Sequence, residues 1–243
     1  MKRFKIQKLS IPVLCILGAA ALVVGVVLAY TLSGQDWTYQ SSPMGENYVV
    51  QENCADCTGE ATAVQAAATT WSNAGAKFSF SSGGTTPGCN APAYDGVNCI
   101  RWGTRPSGIL ATTWWWYNTT TGDILECDCV FNDDYDWSTA AAATPSGDFD
   151  VETVMLHEFG HYLSLGHSSP PAVMQPSIPS GTQRRVLTSD DINGIKAIYG
   201  GCSTLGYSNA VIAPAPGQAL INIILLFSTL LLIPIIRIFR RKK

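Results

Sequence analysis

Three histidines and one glutamate offer the clearest chemistry in the sequence. His157 and His161 are four residues apart, a spacing that places both rings on one face of a helix. Glu158 directly follows the first histidine, and His167 lies six residues after the second. The chain has 3 histidines, and all of them lie in this stretch. Because imidazoles at this spacing bind zinc, the pattern predicts a metal site rather than surface histidines beside a coincidental glutamate.

Such a site would support hydrolysis. Zinc held by three neutral imidazoles keeps one position open and lowers the pKa of a bound water toward ~7. Glu158 follows a ligand and is placed to reach that water as a general base. The sequence therefore predicts one catalytic zinc, with His167 brought to the other two ligands by a turn after the helix.

These residues also resemble a known group of enzymes. The stretch 157–167 reads HEFGHYLSLGH, and Met174 follows it. The pattern is similar to the metzincin signature, H-E-x-x-H-x-x-G-x-x-H with a later methionine turn. VFNDDYDW (130–137) and LTSDDINGIKAIYG (187–200) resemble segments of the matrixin family within the metzincins. The resemblance covers roughly residues 37–201.

The resemblance implies a zinc endopeptidase with a metzincin-like α+β fold. That fold would have a twisted, mostly parallel or mixed sheet of about five strands, an active-site helix and a small C-terminal subdomain ending in a helix. The three histidines would bind zinc, Glu158 would be the general base and Met174 would lie beneath the metal. Pro176, Ser177 and Ile178 would form one wall of the pocket for the residue after the scissile bond. Strand 109–117 would be the edge along which an extended peptide lies.

Three features depart from the family pattern. Ser164 replaces the glycine that turns the chain toward the third histidine. A left-handed residue other than glycine costs roughly 1 kcal/mol, so we expect the turn to shift to Gly166. The family's structural zinc needs further histidines, which the chain lacks, and Val130 replaces one of those ligands. No cysteine-switch propeptide fits between the first apolar run and Trp37, so latency by that device is not expected.

Other groups have two interpretations each. The loop after strand 123–131 resembles the family's calcium loop and is equally typical of a solvated acidic loop. Its oxygen donors are Asn132, Asp133, Asp134 and Asp136. Arg184 and Arg185 either favour an acidic substrate side chain or belong to a solvated loop. Trp114, Trp115 and Trp116 fit the alternating faces of a strand better than a carbohydrate-stacking surface.

Hydrophobic patterning predicts the elements that position these residues. One helix is expected over 60–74, a second from an Asp150 N-cap to about 165, and a last one after Ser189. Runs rich in β-formers predict strands at 77–81, 99–103, 109–117 and 123–131, and the last two read as a hairpin. Strands that cluster before the helices are typical of an α+β domain.

Charge separates the chain into an acidic middle and basic ends. The net charge is −3, but all 18 Asp and Glu lie between two basic clusters, together with only six of the 15 Lys and Arg. Such an acidic middle excludes nucleic acid as a main partner. Each basic cluster adjoins an uncharged apolar run of membrane-spanning length. Because cations stay on the cytoplasmic side, the middle is predicted to lie outside the cell membrane.

The predicted organisation follows from these runs. It comprises a basic N-terminus (1–10), a signal-anchor or cleaved signal peptide (11–33), the metallopeptidase domain (34–205), a Pro/Ala/Gly spacer (206–218), a transmembrane segment (219–236) and a basic tail (237–243). Small residues before Tyr30 leave cleavage of the first run open. The layout of the C-terminal run also resembles a sorting signal that is removed.

Cysteines indicate an oxidising compartment. Seven of the 8 lie outside the first apolar run, so disulfides are expected and one thiol stays unpaired. Cys89–Cys99 is a plausible bridge, whereas C-A-D-C (54–57) and C-D-C (127–129) also suit a metal cluster. Cys127 and Cys129 would share one face of a strand, so we expect different partners for them.

Two functions remain open at this point. One is a membrane-anchored, extracytoplasmic zinc endopeptidase that acts on proteins or peptides. The alternative is a non-catalytic adhesin or scaffold module that keeps the fold and binds zinc structurally. Retention of Glu158 favours the enzyme, because a structural zinc site does not need that base.

Overall fold

The computed structural model describes residues 30–37, 44–169 and 171–200. Its three helices are α1 (Glu60–Ser72), α2 (Val151–Tyr162) and α3 (Ser189–Tyr199). Its strands are β1 (Thr31–Leu32), β2 (Met44–Val50), β3 (Phe78–Thr85), β4 (Cys99–Gly103), β5 (Ala111–Tyr117), β6 (Ile124–Asn132), β7 (Trp137–Ser138), β8 (Phe149–Asp150) and β9 (Leu165–Gly166).

Five strands form one mixed sheet in the order β3-β2-β4-β6-β5. Strands β3, β2, β4 and β6 run parallel, whereas β5 runs antiparallel to β6 and lies at the edge. The predicted α+β class with a mixed five-stranded sheet is confirmed. The predicted hairpin of β5 and β6 is also present, and it leaves one side of β5 free of a partner strand within the described part of the chain.

Helices α1 and α2 pack together over one face of this sheet. The apolar side of α1 is buried, and its Trp71 donates from Nε1 to Leu156 O of α2 at 2.7 Å. Tyr162 of α2 donates from its hydroxyl to Cys127 O of β6 at 2.6 Å. The active-site helix is therefore fixed both to its neighbouring helix and to the sheet.

Loop 86–98 covers the opposite face of β6. Asp128 accepts hydrogen bonds from Ala93 N and Cys99 N, both at 2.9 Å. Glu126 accepts from Asp95 N at 3.0 Å and from Gly96 N. Both carboxylates are almost completely buried, at 0% and 1% exposure, so they hold the backbone of the loop against the sheet.

The cysteines match the sequence prediction in part. The predicted Cys89–Cys99 disulfide is present, and Cys54 pairs with Cys57. Cys127 and Cys129 share a face of β6, as expected, but both are free. The prediction of different disulfide partners is therefore wrong for these two. Their face packs into the apolar core, where each thiol fills space as a small hydrophobe.

The boundary between the first apolar run and the domain differs from the prediction. Thr31 and Leu32, assigned by sequence to the segment 11–33, form β1 and pair antiparallel with Gly166 and Leu165. The packed domain thus includes residues before the predicted boundary at 34. The rest of the first run and the predicted segment 219–236 lie outside the described residues. Among the residues that are described, no helix has the length and apolar character needed to cross a membrane.

Candidate active site

Helix α2 carries two of the predicted zinc ligands. It begins at Asp150, whose carboxylate accepts from Thr153 N at 2.9 Å, as the predicted N-cap requires. Arg185 reinforces this start, because its Nη2 lies 2.6 Å from Asp150 Oδ1. His157 and His161 then follow in the second and third turns, on the face that adjoins β5.

The three histidines converge on one point. Their ring centroids are 4.7 Å (157 to 161), 5.3 Å (157 to 167) and 5.0 Å (161 to 167) apart. One ligand nitrogen from each ring lies within 4.8 Å of the other two. His157 Nδ1 lies 2.9 Å from Val173 O, and His161 Nδ1 lies 2.8 Å from Leu165 O. These carbonyls engage Nδ1–H and leave Nε2 of each ring as the metal-binding nitrogen.

The environment favours the neutral form of His157 and His167. Burial, with His161 nearby, lowers the pKa of His157 to about 3. The same two causes lower the pKa of the more exposed His167. Neutral imidazole is the form that binds a metal, so these two rings are available as ligands at neutral pH without losing a proton.

Glu158 lies beside the three histidines and lines a cavity together with them. Its side chain is 5% exposed, and its Oε2 accepts from Thr113 Oγ1 of β5 at 2.7 Å. Burial raises the pKa of Glu158, while His161 and the Thr113 hydroxyl act in the opposite direction. This carboxylate therefore binds a proton more readily than an exposed glutamate does, which suits a group that exchanges protons.

Met174 packs against α2 between the two helical ligands. A Cβ at Gly160 would overlap Met174 Sδ, so only glycine lets the methionine approach the helix there. Asp191 of α3 holds the methionine segment in place by accepting from Val173 N at 3.0 Å and Met174 N at 3.2 Å. The methionine thus packs against the helix between His157 and His161 in sequence, and its place beneath a metal stays a prediction.

A cavity of about 490 Å³ opens beside the histidines. The segment predicted as a pocket wall lines it, together with the edge strand and the inner side of β8. Among the lining residues are Leu110, Tyr135, Phe149, Val154, Pro176, Ser177, Ile178 and Arg184. The sequence-predicted wall and edge strand therefore belong to one cavity with the triad.

Comparison with known proteins shows what this part of the chain resembles. The family model described as Matrixin matches residues 104–200, which include every site residue above. This region is matrixin-like. The chain is 46% identical over 76 residues to Metalloendoproteinase 1 of Glycine max, which is 30% of this chain and 25% of that protein. It is 37% identical over 105 residues to human Matrix metalloproteinase-27, which is 42% of this chain and 18% of that protein.

Human Neutrophil collagenase is similarly related, at 37% identity over 97 residues, or 39% of this chain and 19% of the relative. The chain spans about a quarter or less of the length of these relatives. The matrixin-like match ends at residue 200 and starts after β4, so β1–β4 and α1 lie outside the matched range.

The turn of the matrixin-like site toward His167 differs from the prediction. It occurs at Ser164, which has φ 74°, and does not shift to Gly166, which is part of β9. The left-handed serine is compensated by hydrogen bonds that a glycine lacks. Its hydroxyl donates to Gln35 O and lies 2.5 Å from the Ser33 hydroxyl. Ser33 N also donates to Ser164 O at 2.9 Å.

The N-terminal strand continues this support up to the third ligand. Thr31 Oγ1 donates to His167 O at 2.8 Å. Tyr30 and Leu165 pack on Gly194 of α3, where an added Cβ would lie 2.8 Å from Leu165 Cδ2. The position of His167 therefore depends on residues that precede the matrixin-like match by about seventy positions in the chain.

The acidic loop of the matrixin-like region does not gather its carboxylates. Asn132 is fully buried, and its amide bonds the backbone of Arg105 and Ile109. Asp133, Asp134 and Asp136 are exposed, and they form no cluster of three ligand oxygens within the described residues. Calcium binding at this loop stays a prediction.

Several supporting residues were not found from the sequence. Thr113 binds Glu158, and Trp115 donates from Nε1 to His161 O at 2.8 Å. Both lie on one face of β5. The sequence shows which residues of this strand share a face, but it does not show which face contacts α2. Asp191 was assigned only to the start of α3, whereas it also fixes the methionine segment.

Proposed function

We propose that this chain is a zinc-dependent endopeptidase that hydrolyses peptide bonds of proteins or peptides, with Glu158 as general base. The observation that supports it most is the convergence of three histidines beside a buried glutamate, at an open cavity bordered by an edge strand. The proteinase names of the matrixin-like relatives point the same way. The fold would be that of metzincins, with the part after α2 as its small C-terminal subdomain.

The donor set fits zinc. Three neutral nitrogen ligands, two of them oriented by backbone carbonyls, leave a fourth position for water or substrate, as in catalytic rather than structural zinc sites. His157, His161 and His167 would hold the ion. When bound, it would supply a Lewis acid that polarises a substrate carbonyl and makes water acidic.

The protein's own residues would supply proton transfer and orientation. Glu158 would accept the proton of the attacking water and deliver it to the nitrogen of the leaving amine. Thr113 would keep the carboxylate aimed into the cavity, since its hydroxyl binds one oxygen and leaves the other available. Met174 and Gly160 would keep the helical ligands in register by close packing.

The substrate would lie as an extended strand along β5. Backbone groups on the free side of this edge strand would pair with the substrate main chain. The side chain after the scissile bond would enter the cavity bounded by Pro176, Ser177 and Ile178. The domain would lie on the extracytoplasmic side of the cell membrane, because both apolar runs are flanked by cations at their outer ends.

The test uses the full-length chain purified under oxidising conditions with zinc. We expect one zinc per chain by metal analysis, and cleavage of a mixed peptide library that is lost on chelation and restored by zinc. Glu158→Gln should keep the zinc and lower kcat/KM by about 10²–10⁴-fold. Glu152→Gln on the same helix is the matched control and should remain active.

Two results would contradict the proposal. Cleavage by Glu158→Gln at the wild-type rate would exclude the assigned base. Zinc bound with no cleavage of any peptide or protein would favour the scaffold alternative.

A further inference from the structure

Two adjacent arginines after the pocket wall have different environments. Arg185 is paired with acids: its Nη2 lies 2.6 Å from Asp150 Oδ1, and its Nε lies 3.1 Å from Glu152 Oε2. Arg184 instead donates to two neutral oxygens, Gln175 Oε1 at 3.1 Å and Ala172 O at 3.4 Å. The charge of Arg185 is thus neutralised by acids, whereas Arg184 has no carboxylate among its described hydrogen-bond partners.

Arg184 lines the cavity beside the zinc ligands, whereas Arg185 does not. A guanidinium has five N–H donors, and the two hydrogen bonds leave three of them for another acceptor. Planar guanidinium groups bind carboxylates with two parallel hydrogen bonds, which a neutral partner cannot match. The unused donors therefore favour a carboxylate in the cavity.

The backbone of Arg184 is fixed beside helix α2. Its N donates to Thr153 Oγ1 at 2.8 Å. Thr153 precedes His157 by one helical turn, or about 6 Å along α2. Apolar groups of Val154, Tyr135 and Phe149 line the same cavity as Arg184. A complementary side chain has an apolar stem and a charged end.

Only one acid lines the cavity. Among its lining residues the single carboxylate is Glu158, which is bound by Thr113 and follows His157 on the helix. The nearby carboxylate of Asp150 is not a lining residue and accepts from Thr153 and Arg185. A substrate acid in the cavity would therefore be attracted to Arg184.

We propose that Arg184 makes this cavity select glutamate as the residue after the scissile bond. The inference rests on the proposed endopeptidase function and adds its substrate preference. Aspartate would be too short to reach past the apolar lining, and leucine would fill the lining but leave the guanidinium without an anionic partner. Glutamine matches glutamate in shape and serves as its neutral reference.

The experiment compares peptides that differ only at that residue. The full-length zinc-loaded chain is assayed with Glu, Gln, Leu and Asp peptides at pH 7. We expect kcat/KM for Glu to exceed that for Gln by at least about tenfold, because a hydrogen-bonded charge pair contributes that much. Arg184→Gln should bring the ratio close to one, and Arg184→Lys should restore part of it. Arg185→Gln is the matched control and should keep the ratio.

A second readout does not need turnover. Fluorescence anisotropy measures binding of the same peptides to Glu158→Gln and to the double variant with Arg184→Gln. A Glu preference present in the first and absent from the second supports the inference. Equal binding of Glu and Gln, or a leucine preference that Arg184→Gln leaves unchanged, would overturn it. Absence of all cleavage with the binding preference intact would instead count against the endopeptidase function alone.

Discussion

Buried acids of two kinds lie on the two sides of strand β6. On the outer face, the carboxylates of Asp128 and Glu126 accept hydrogen bonds from backbone N–H groups of loop 86–98 and of Cys99. On the inner face the strand presents two inert thiols toward α2, where Glu158 has one hydroxyl partner and opens into a cavity. Burial raises the pKa of Asp128 and Glu158 alike. The structural acids therefore differ from the proposed general base in how fully their oxygens are hydrogen-bonded, and not in the direction of the pKa shift.

The substitution Asp128→Ala tests this comparison and should have the largest effect. It leaves the N–H groups of Ala93 and Cys99 buried without acceptors, so the free energy of unfolding should fall by roughly 2–3 kcal/mol. Hydrolysis per folded molecule should not change, because loop 86–98 is not part of the cavity. Urea denaturation and active-site titration measure the two quantities. Exposed Asp133 provides the control, and Asp133→Ala should stay within about 0.5 kcal/mol.

Loss of turnover with intact stability in Asp128→Ala would contradict the structural role assigned to Asp128. It would mean that the outer face acts on the chemistry through the strand.

The pH dependence of stability provides a second test. Burial raises the pKa of Asp128 from 3.8 to about 6, so the folded protein binds this proton more tightly than the unfolded chain does. Its contribution to stability is present below pH ~4 and is lost as pH rises through about 6. Asp128→Asn should remove this part of the slope in denaturation curves between pH 4 and 7. An identical slope in both proteins would show that Asp128 titrates normally.

Thr113→Val is expected to have the smallest effect. Its hydroxyl lowers the pKa of Glu158, so removal should raise that pKa further and move the acid limb of kcat/KM to higher pH. The pH profile measures this, with the plateau rate as an internal reference. Thr112→Val, on the opposite face of β5, should leave the limb in place. A limb that moves to lower pH in Thr113→Val would contradict the proposed role.

Sequence patterns predicted the parts that depend on local spacing. His157, His161 and Asp150 were found because a helix repeats every 3.6 residues and needs a cap at its start. Strands β5 and β6 were found because their β-rich runs enclose a turn. The convergence of the histidines and the fold class were accordingly predicted well.

Parts that depend on distant partners were not predictable in this way. Thr31 and Leu32 read as the end of an apolar run, and nothing in them indicates pairing with residues over 130 positions away. Ser164 was expected to avoid the turn because its oxygen partners, Gln35 and Ser33, were not known to be adjacent. Likewise, the N–H groups that bind Asp128 come from a loop about thirty residues earlier.

Strand β1 also has a mechanical consequence. A pulling force applied to the chain before residue 30 would act on the pairing of β1 with β9, which involves only two residues of each strand. This pairing lies next to the backbone of His167. Antiparallel pairs pulled from one end open one hydrogen bond at a time, and the Thr31 and Ser33 contacts would be the first to break. Tension would therefore release the third ligand while helix α2 still held the other two. The pairing of β1 and the position of His167, a proposed zinc ligand, therefore depend on the same few hydrogen bonds.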